Sequence, residues 1–289
     1  MGHSDFRFGV NLTAPAARGE WMDKCRHAEE LGYDTIAIPD HLGMPSPFPA
    51  MVLAAEATTH ARIGTFVINT SFYNPTLLAR DIVGTDQFTG GRIELGLGAG
   101  YVKAEFDKAG LEFGTPGQRI DRLIASIDEL DRFCADPTEP NPVQEPIPLL
   151  IAGSGDRLLR LAARRASVVS FAGAGFQRDG TPFMFEASKL EERVQFVTAE
   201  LGGREAEFNA VIMRAVVTDD RAAVLSKLAE RSASGLSPEQ MAECPMYMAG
   251  TPEQLADQLL GFRERFGFTY FTVLESSMEE FAAVIALMR

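Results

Sequence analysis

Residues 62–100 read RIGTFVINTSFYNPTLLARDIVGTDQFTGGRIELGLGAG, and this stretch decides the fold class. RIGTFVI (62–68) is an apolar, β-branched run of strand length, and RIELGLGAG (92–100) is another. Between them PTLLARDIVGTDQF (75–88) opens on Pro75, whose missing amide donor costs nothing in the first turn of a helix. Strand, helix and strand in immediate succession form the βα unit of a parallel sheet.

The same unit extends in both directions. Upstream lie the strand FRFGVNL (6–12), a helix over EWMDKCRHAEELG (20–32) stopped by Gly32, the strand TIAIP (35–39) and a short helix AMVLAAEATTH (50–60). Downstream, Ile120, Leu123, Ile124, Ile127, Leu130 and Phe133 form one stripe of a long helix, closed by a Pro-rich loop from Asp136 to Pro148. PLLIAG (148–153) with its helix 156–166, SVVSFAG (167–173) with 188–203, FNAVIMRAVVT (208–218) with 221–231, and YFTVLE (270–275) with Met278 to Met288 complete the alternation. Eight such units in 289 residues, with no GxGxxG after the first strand, favour a closed (β/α)8 TIM barrel over a doubly wound open sheet. The expectation is one domain over 1–289, with a small helical insertion at Ser232 to Thr251 before the last strand.

Composition narrows the function. A net charge of −13, with no basic cluster, speaks against nucleic acid as a partner. Cys25, Cys134 and Cys244 are widely spaced and odd in number, which argues against a disulfide framework and a zinc site and fits a reducing cytoplasm. No apolar run approaches the ~20 residues that span a bilayer, and no signal-peptide region opens the chain.

In a barrel of this type the chemistry sits at the C-terminal ends of the strands. Those ends carry Asn11 and Thr13, Asp40 and His41, Asn69 and Thr70, Ala99 with Gly100 and Tyr101, Gly153 to Asp156, and Ala172 to Gly175. Pro39 cannot join a sheet ladder, so the second strand ends there and leaves Asp40 and His41 on the rim. A histidine moves protons near neutral pH, and a neighbouring acid can set its charge; the alternative is a turn residue followed by a solvated one. Gly153, Ser154 and Gly155 before a helix suit a phosphate cradle or, equally, a tight turn capped by Asp156. The small-residue loop of Ala172, Gly173 and Ala174, one unit later, favours the cradle. Gly96 and Gly98 leave room for a bulky group at the strand end, or relieve packing against a helix. His3, His27 and His60 have no assigned role; Phe48, Phe72 and Phe176 are apolar rim candidates, and Lys103, Arg119 and Arg178 are candidates to meet an anionic tail.

Residues 62–110, 113–133 and 147–171, with YDTIAIPDH (33–41) and AGTPEQLADQL (249–259), resemble the luciferase-like monooxygenase superfamily, in particular its branch dependent on the deazaflavin coenzyme F420. The resemblance implies a bacterial-luciferase-like barrel that transfers hydride between the deazaflavin C5 and an alcohol or carbonyl, imine or activated alkene. It implies that Asp40 and His41 flank the ring, with His41 in proton transfer. Thr65, Phe66, Ala99 and Gly100 would border the cofactor, and a non-proline cis peptide would lie near Thr65 and Phe66. The phosphate would lie at Gly153, Ser154 and Gly155 and at Ala172, Gly173 and Ala174. Where some F420-dependent sugar-phosphate dehydrogenases carry a glutamate after the glycine of the fourth-strand loop, this chain has Tyr101, a weaker candidate for the acid than His41. The resemblance also implies a cytoplasmic homodimer acting on a small molecule. Two alternatives stay open: an FMN-dependent two-component monooxygenase, and a flavin-binding protein without catalysis.

Overall fold

The computed structural model describes residues 6–176, 182–231 and 235–289. In chain order its first half holds β1 (Arg7–Asn11), α1 (Arg18–Glu30), β2 (Thr35–Ile38), α2 (Pro47–Ala57), β3 (Arg62–Thr65), β4 (Ile68–Asn69), α3 (Pro75–Phe88), β5 (Ile93–Gly98), α4 (Lys103–Ala109) and α5 (Pro116–Ala135). The second half holds β6 (Leu149–Gly153), α6 (Asp156–Arg165), β7 (Val168–Phe171), β8 (Ala174–Phe176), β9 (Pro182–Met184), α7 (Ala187–Leu201), β10 (Glu207–Ile212), β11 (Arg214–Val217), α8 (Arg221–Arg231), α9 (Pro238–Ala242), β12 (Tyr247–Gly250), α10 (Pro252–Phe266), β13 (Phe268–Leu274) and α11 (Met278–Met288).

The main sheet runs β3-β2-β1-β13-β10-β7-β6-β5-β4, and β3 also pairs with β5. That last pairing closes the cylinder, and β3 with β4 makes up a single stave, so the fold is a closed barrel of eight parallel staves ringed by helices. Strand alternation sorts the side chains. Ile93, Leu95 and Leu97 of β5 join the core shared with the helices, whereas Glu94, on the opposite face, reaches across the barrel to Arg7 at 2.7 Å.

Helix ends are set by local chemistry. Asn74 Oδ1 accepts from the amides of Thr76 and Leu77 ahead of Pro75, and capping boxes at Thr115 with Gln118 and at Thr251 with Gln254 open α5 and α10. Leu123, Ile127, Leu130 and Phe133 are buried along α5, as their spacing requires.

Four expectations change. The third strand is not continuous: it is interrupted at Phe66 and Val67, and the cis peptide between them is the non-proline one expected near Thr65 and Phe66. The seventh breaks at Met213, after which Arg214–Val217 leaves the barrel to pair in parallel with Tyr247–Gly250. The proposed insertion is therefore not wholly helical, since it contributes β12 besides α9, and residues 232–234 lie outside the described set. Local composition did not reveal β12 because its pairing edge lies far away in the chain, at β11. Lastly, Gly96 and Gly98 relieve packing against a strand rather than a helix. A Cβ on Gly96 would stand 1.9 Å from the Thr65 carbonyl oxygen, and one on Gly98 would stand 2.5 Å from Val67 Cγ2.

Among the described residues no helix is long and apolar enough to cross a membrane, and no group of His, Cys, Asp or Glu is arranged to hold a metal ion. Gly96→Ala should cost about 3 kcal/mol or more in urea unfolding, because backbone rather than a flexible side chain blocks the new methyl. Gly155→Ala, with nothing within 4 Å of its Cβ, should stay within about 0.5 kcal/mol of the parent.

Candidate functional site

The bottom of the barrel is sealed by charge. Arg7 contacts Glu94 and Glu207, donates to Thr35 Oγ1 at 3.3 Å and lies 4.3 Å over the Tyr270 ring. Burial works against the guanidinium charge, but Glu94, Tyr270 and Glu207 outweigh it and hold the group above its usual pKa. Above this layer Asn209 accepts from Ser170 Oγ at 2.7 Å and donates to Thr272 Oγ1 at 2.9 Å. The lower interior is thus filled and internally paired.

The top is different. Asn11, at the end of β1 and 5% exposed, donates from Nδ2 to the Phe66 carbonyl at 3.5 Å, while its Oδ1 is buried with no partner. Asp40 Oδ2 accepts from the Asn69 amide at 3.0 Å, and the Tyr73 hydroxyl interacts with the same carboxyl group. Burial pushes the Asp40 carboxyl up to about 6, although the Asn69 amide, the Tyr73 hydroxyl and His41 all pull it down; Glu105 adds to the rise. Burial, then the Asp40 charge, raises the Tyr73 phenol in turn.

His41 is the centre of the rim. Its Nδ1 lies 2.9 and 3.1 Å from the two carboxylate oxygens of Glu105 in α4. Its ring meets Tyr101 edge-on, with centroids 5.8 Å apart and planes at 81°. Burial, and secondarily Glu105, raises the Tyr101 phenol. The predicted trio Asp40, His41 and Tyr101 therefore does assemble. Glu105 and Tyr73 were missed; Glu105 stands in the first turn of a short helix just after the fourth-strand loop, which no sequence period marks.

The fourth-strand loop is tightly held. Thr65 Oγ1 bonds the Gly96 carbonyl at 2.7 Å and the Gly96 amide at 2.9 Å, so this buried hydroxyl is used within the sheet. Phe66, with Val67 and Ala152, packs against the interior cluster of Leu150, Val168 and Tyr270. Ser71 Oγ bonds the Ala99 carbonyl at 3.3 Å, and Gly100 has φ +76° with Asn69 Oδ1 filling the place a Cβ would need. Arg119 donates to the carbonyls of Gly100 and Gly114, each at 3.0 Å, and lies 3.9 Å over the Phe113 ring. It fastens two loops. Lys103 pairs with Asp107 on the surface. Arg178 and His3 lie outside the described residues, as does the side chain of Phe176.

The two glycine loops are neighbours, since the Ala172 amide donates to the Gly153 carbonyl at 3.4 Å. Packing favours glycine at 153, because a Cβ there would stand 2.2 Å from Leu158 Cδ2 and displace that side chain. Gly155 is the N-cap of α6, open to solvent and without a side-chain cap, while Asp156 is the first helical residue and pairs with Arg193. Gly173 has φ +63° and abuts Met246, and Ala174 is not loop but the first residue of β8, paired with Met184.

The family model described as luciferase-like monooxygenase matches residues 4–270. The chain belongs to that family. Within it, the chain is 25% identical over 223 residues to 5,10-methylenetetrahydromethanopterin reductase of Archaeoglobus fulgidus, covering 74% of this chain and 64% of that protein. It is 26% identical over 155 residues to the oxygenase component of flavin-dependent trigonelline monooxygenase of Acinetobacter baylyi, covering 47% and 43%. It is 34% identical over 110 residues to F420-dependent glucose-6-phosphate dehydrogenase of Kribbella flavida, covering 35% and 33%. This family member thus spans less than two thirds of each of these relatives. In fold it is similar to an F420-dependent secondary alcohol dehydrogenase solved with an F420-acetone adduct, at TM-score 0.76 and 17% identity over all of both chains.

The carboxyl of Asp40 supplies a pH test. Its native pKa of about 6 exceeds the 3.8 of an ordinary aspartate, so the fold favours the neutral acid. The stability penalty is present above about pH 6 and is lost as the pH falls toward 4, because the native state binds a proton that the unfolded chain does not. Relative to Asp40→Asn, the wild type should gain up to about 3 kcal/mol of unfolding free energy between pH 7 and 4, read by urea titration.

Proposed function

We propose that the protein is an F420-dependent oxidoreductase that transfers a hydride between the deazaflavin C5 and a small organic substrate: an alcohol or carbonyl, an imine or an activated alkene. The observation that carries this reading is the rim cluster, in which a histidine held by a carboxylate stands beside a buried acid at the mouth of a luciferase-like barrel. An alcohol that loses hydride from carbon also releases the proton on oxygen, and a rim histidine suits that proton.

The residues present fit such a cofactor. Asn11 Oδ1 offers an unpartnered acceptor at the barrel mouth, and the uncapped start of α6 at Gly155, beside Gly153, Ser154, Ala172 and Gly173, offers free amides to a phosphate. The charge of Asp156 there is offset in part by Arg193, which pairs with Glu192 as well. Ala99 and Gly100 would border the ring, and Phe66 would lie beneath it. When bound, the deazaflavin supplies a two-electron hydride carrier. In this reading Asp40 and Tyr101 shape the polarity around His41, and His41 moves the proton.

Relatives support F420 through the length of the match to the methanopterin reductase and through the named dehydrogenase. A second reading, an FMN-dependent two-component monooxygenase, is favoured by the trigonelline enzyme among the relatives. The first reading also takes the protein as a cytoplasmic homodimer, so a monomer by light scattering would count against that part.

Titration calorimetry with oxidised F420 and with FMN discriminates the two. The expected outcome is tight binding of the deazaflavin; tight binding of FMN alone overturns the reading. His41→Ala should lower turnover by about 10² to 10⁴ while the cofactor Kd changes much less, and an unchanged rate would remove His41 from the mechanism.

A further inference from the structure

Glu105 stands in the first turn of α4, and both its oxygens lie within hydrogen-bond distance of His41 Nδ1, at 2.9 and 3.1 Å. A carboxylate accepts but cannot donate, so the hydrogen in this contact belongs to Nδ1. A neutral imidazole with its proton on Nδ1 presents a bare acceptor at Nε2. Among the described residues no hydrogen bond engages Nε2. His41 also lines a cavity of about 520 Å³ with Leu42, Met44, Phe72 and Leu111.

We propose that Glu105 is the positioning residue of this site: by holding Nδ1–H it fixes the tautomer and the direction of the His41 ring, so that Nε2 is the atom that exchanges a proton with the substrate. The proposal rests on the reading of His41 as the proton-transfer group. In the oxidative direction the substrate O–H bond breaks, its electron pair stays on oxygen and the proton passes to Nε2. The resulting imidazolium charge then faces Glu105, with Asp40 and Tyr101 the other titratable groups around the ring. A carboxylate on Nδ1–H performs the same service for the histidine of hydrolytic triads, where the wrong tautomer costs orders of magnitude in rate.

The geometry is firmly anchored. The residue after Glu105 is Phe106, fully buried, with its ring 5.2 Å from Phe72 and 4.9 Å from Phe113. Phe106 locks the short helix onto the body of the barrel, so the Glu105 backbone has little freedom, and its side chain is only 16% exposed. On the other side, the Tyr101 ring edge limits rotation of the imidazole.

Long-range ¹H–¹⁵N NMR on the cofactor-free protein, at a pH where the ring is neutral, reads the tautomer directly. The expected result is a proton on Nδ1 in the wild type, a shift toward the Nε2–H form that a free ring prefers in Glu105→Ala, and recovery of Nδ1–H in Glu105→Gln, whose amide oxygen accepts the same bond. An Nε2–H tautomer in the wild type overturns the proposal, as does a tautomer unaltered by Glu105→Ala. In turnover with whichever cofactor calorimetry selects, Glu105→Ala should lower kcat by about tenfold or more, with Glu105→Gln partly restoring it. An unchanged kcat in Glu105→Ala also overturns it. If the wild type turns over with neither F420 nor FMN, the hydride-transfer reading falls, whereas the NMR result decides the tautomer independently.

Discussion

The close approach of β5 to the interrupted third stave is the constraint on which the upper half of the molecule depends. Only a residue without a Cβ can sit where Gly96 meets the Thr65 carbonyl, and Gly98 makes a close approach to the side chain of Val67. Thr65 answers by bonding both the amide and the carbonyl of Gly96. With the strand interrupted, Ile68–Asn69 resumes alongside Leu97–Gly98. That register brings the Asn69 amide to Asp40 and the Asn69 side chain against Gly100. A methyl group on β5 would therefore disturb Asp40 and the fourth-strand loop as well as local packing.

Charge is distributed along the barrel axis with opposite purposes at its two ends. At the bottom, Arg7 pairs with both Glu94 and Glu207, and such a layer keeps buried charge tolerable because each acid contacts the same guanidinium. At the top, the carboxylate of Asp40 is only partly compensated, Asn11 Oδ1 has no partner, and His41 is held through a single ring nitrogen. Unspent hydrogen-bonding capacity at one end of an otherwise satisfied interior is what a binding site requires.

The barrel was readable from local pattern. Ile93, Leu95 and Leu97 alternate with Glu94, Gly96 and Gly98, and that period sends one set toward the helices and the other inward wherever the strand lies. Asp40 and His41 were readable as rim residues because Pro39 ends a strand by its own chemistry. Glu105 was not, since it lies 64 residues from His41 and its seven-residue helix is too short for periodicity to reveal. Arg119 looked like a cation awaiting an anion, yet its Nε and Nη1 donate to the carbonyls of Gly100 and Gly114, which no composition announces.

By itself, the sequence determined the alternation of strands and helices, the eightfold closure that such a count favours, and the side of the barrel on which polar residues gather. All three follow from short-range rules: side-chain period, the missing donor of proline and the capping of helix ends. Only the tertiary structure decided that Glu105 meets His41, that Asp40 is buried enough to hold a proton up to about pH 6, and that the two glycine loops adjoin. Hydrogen bonds and desolvation depend on ångström-scale distances between staves. Those distances are set by the closure of β3 onto β5, which no single segment contains.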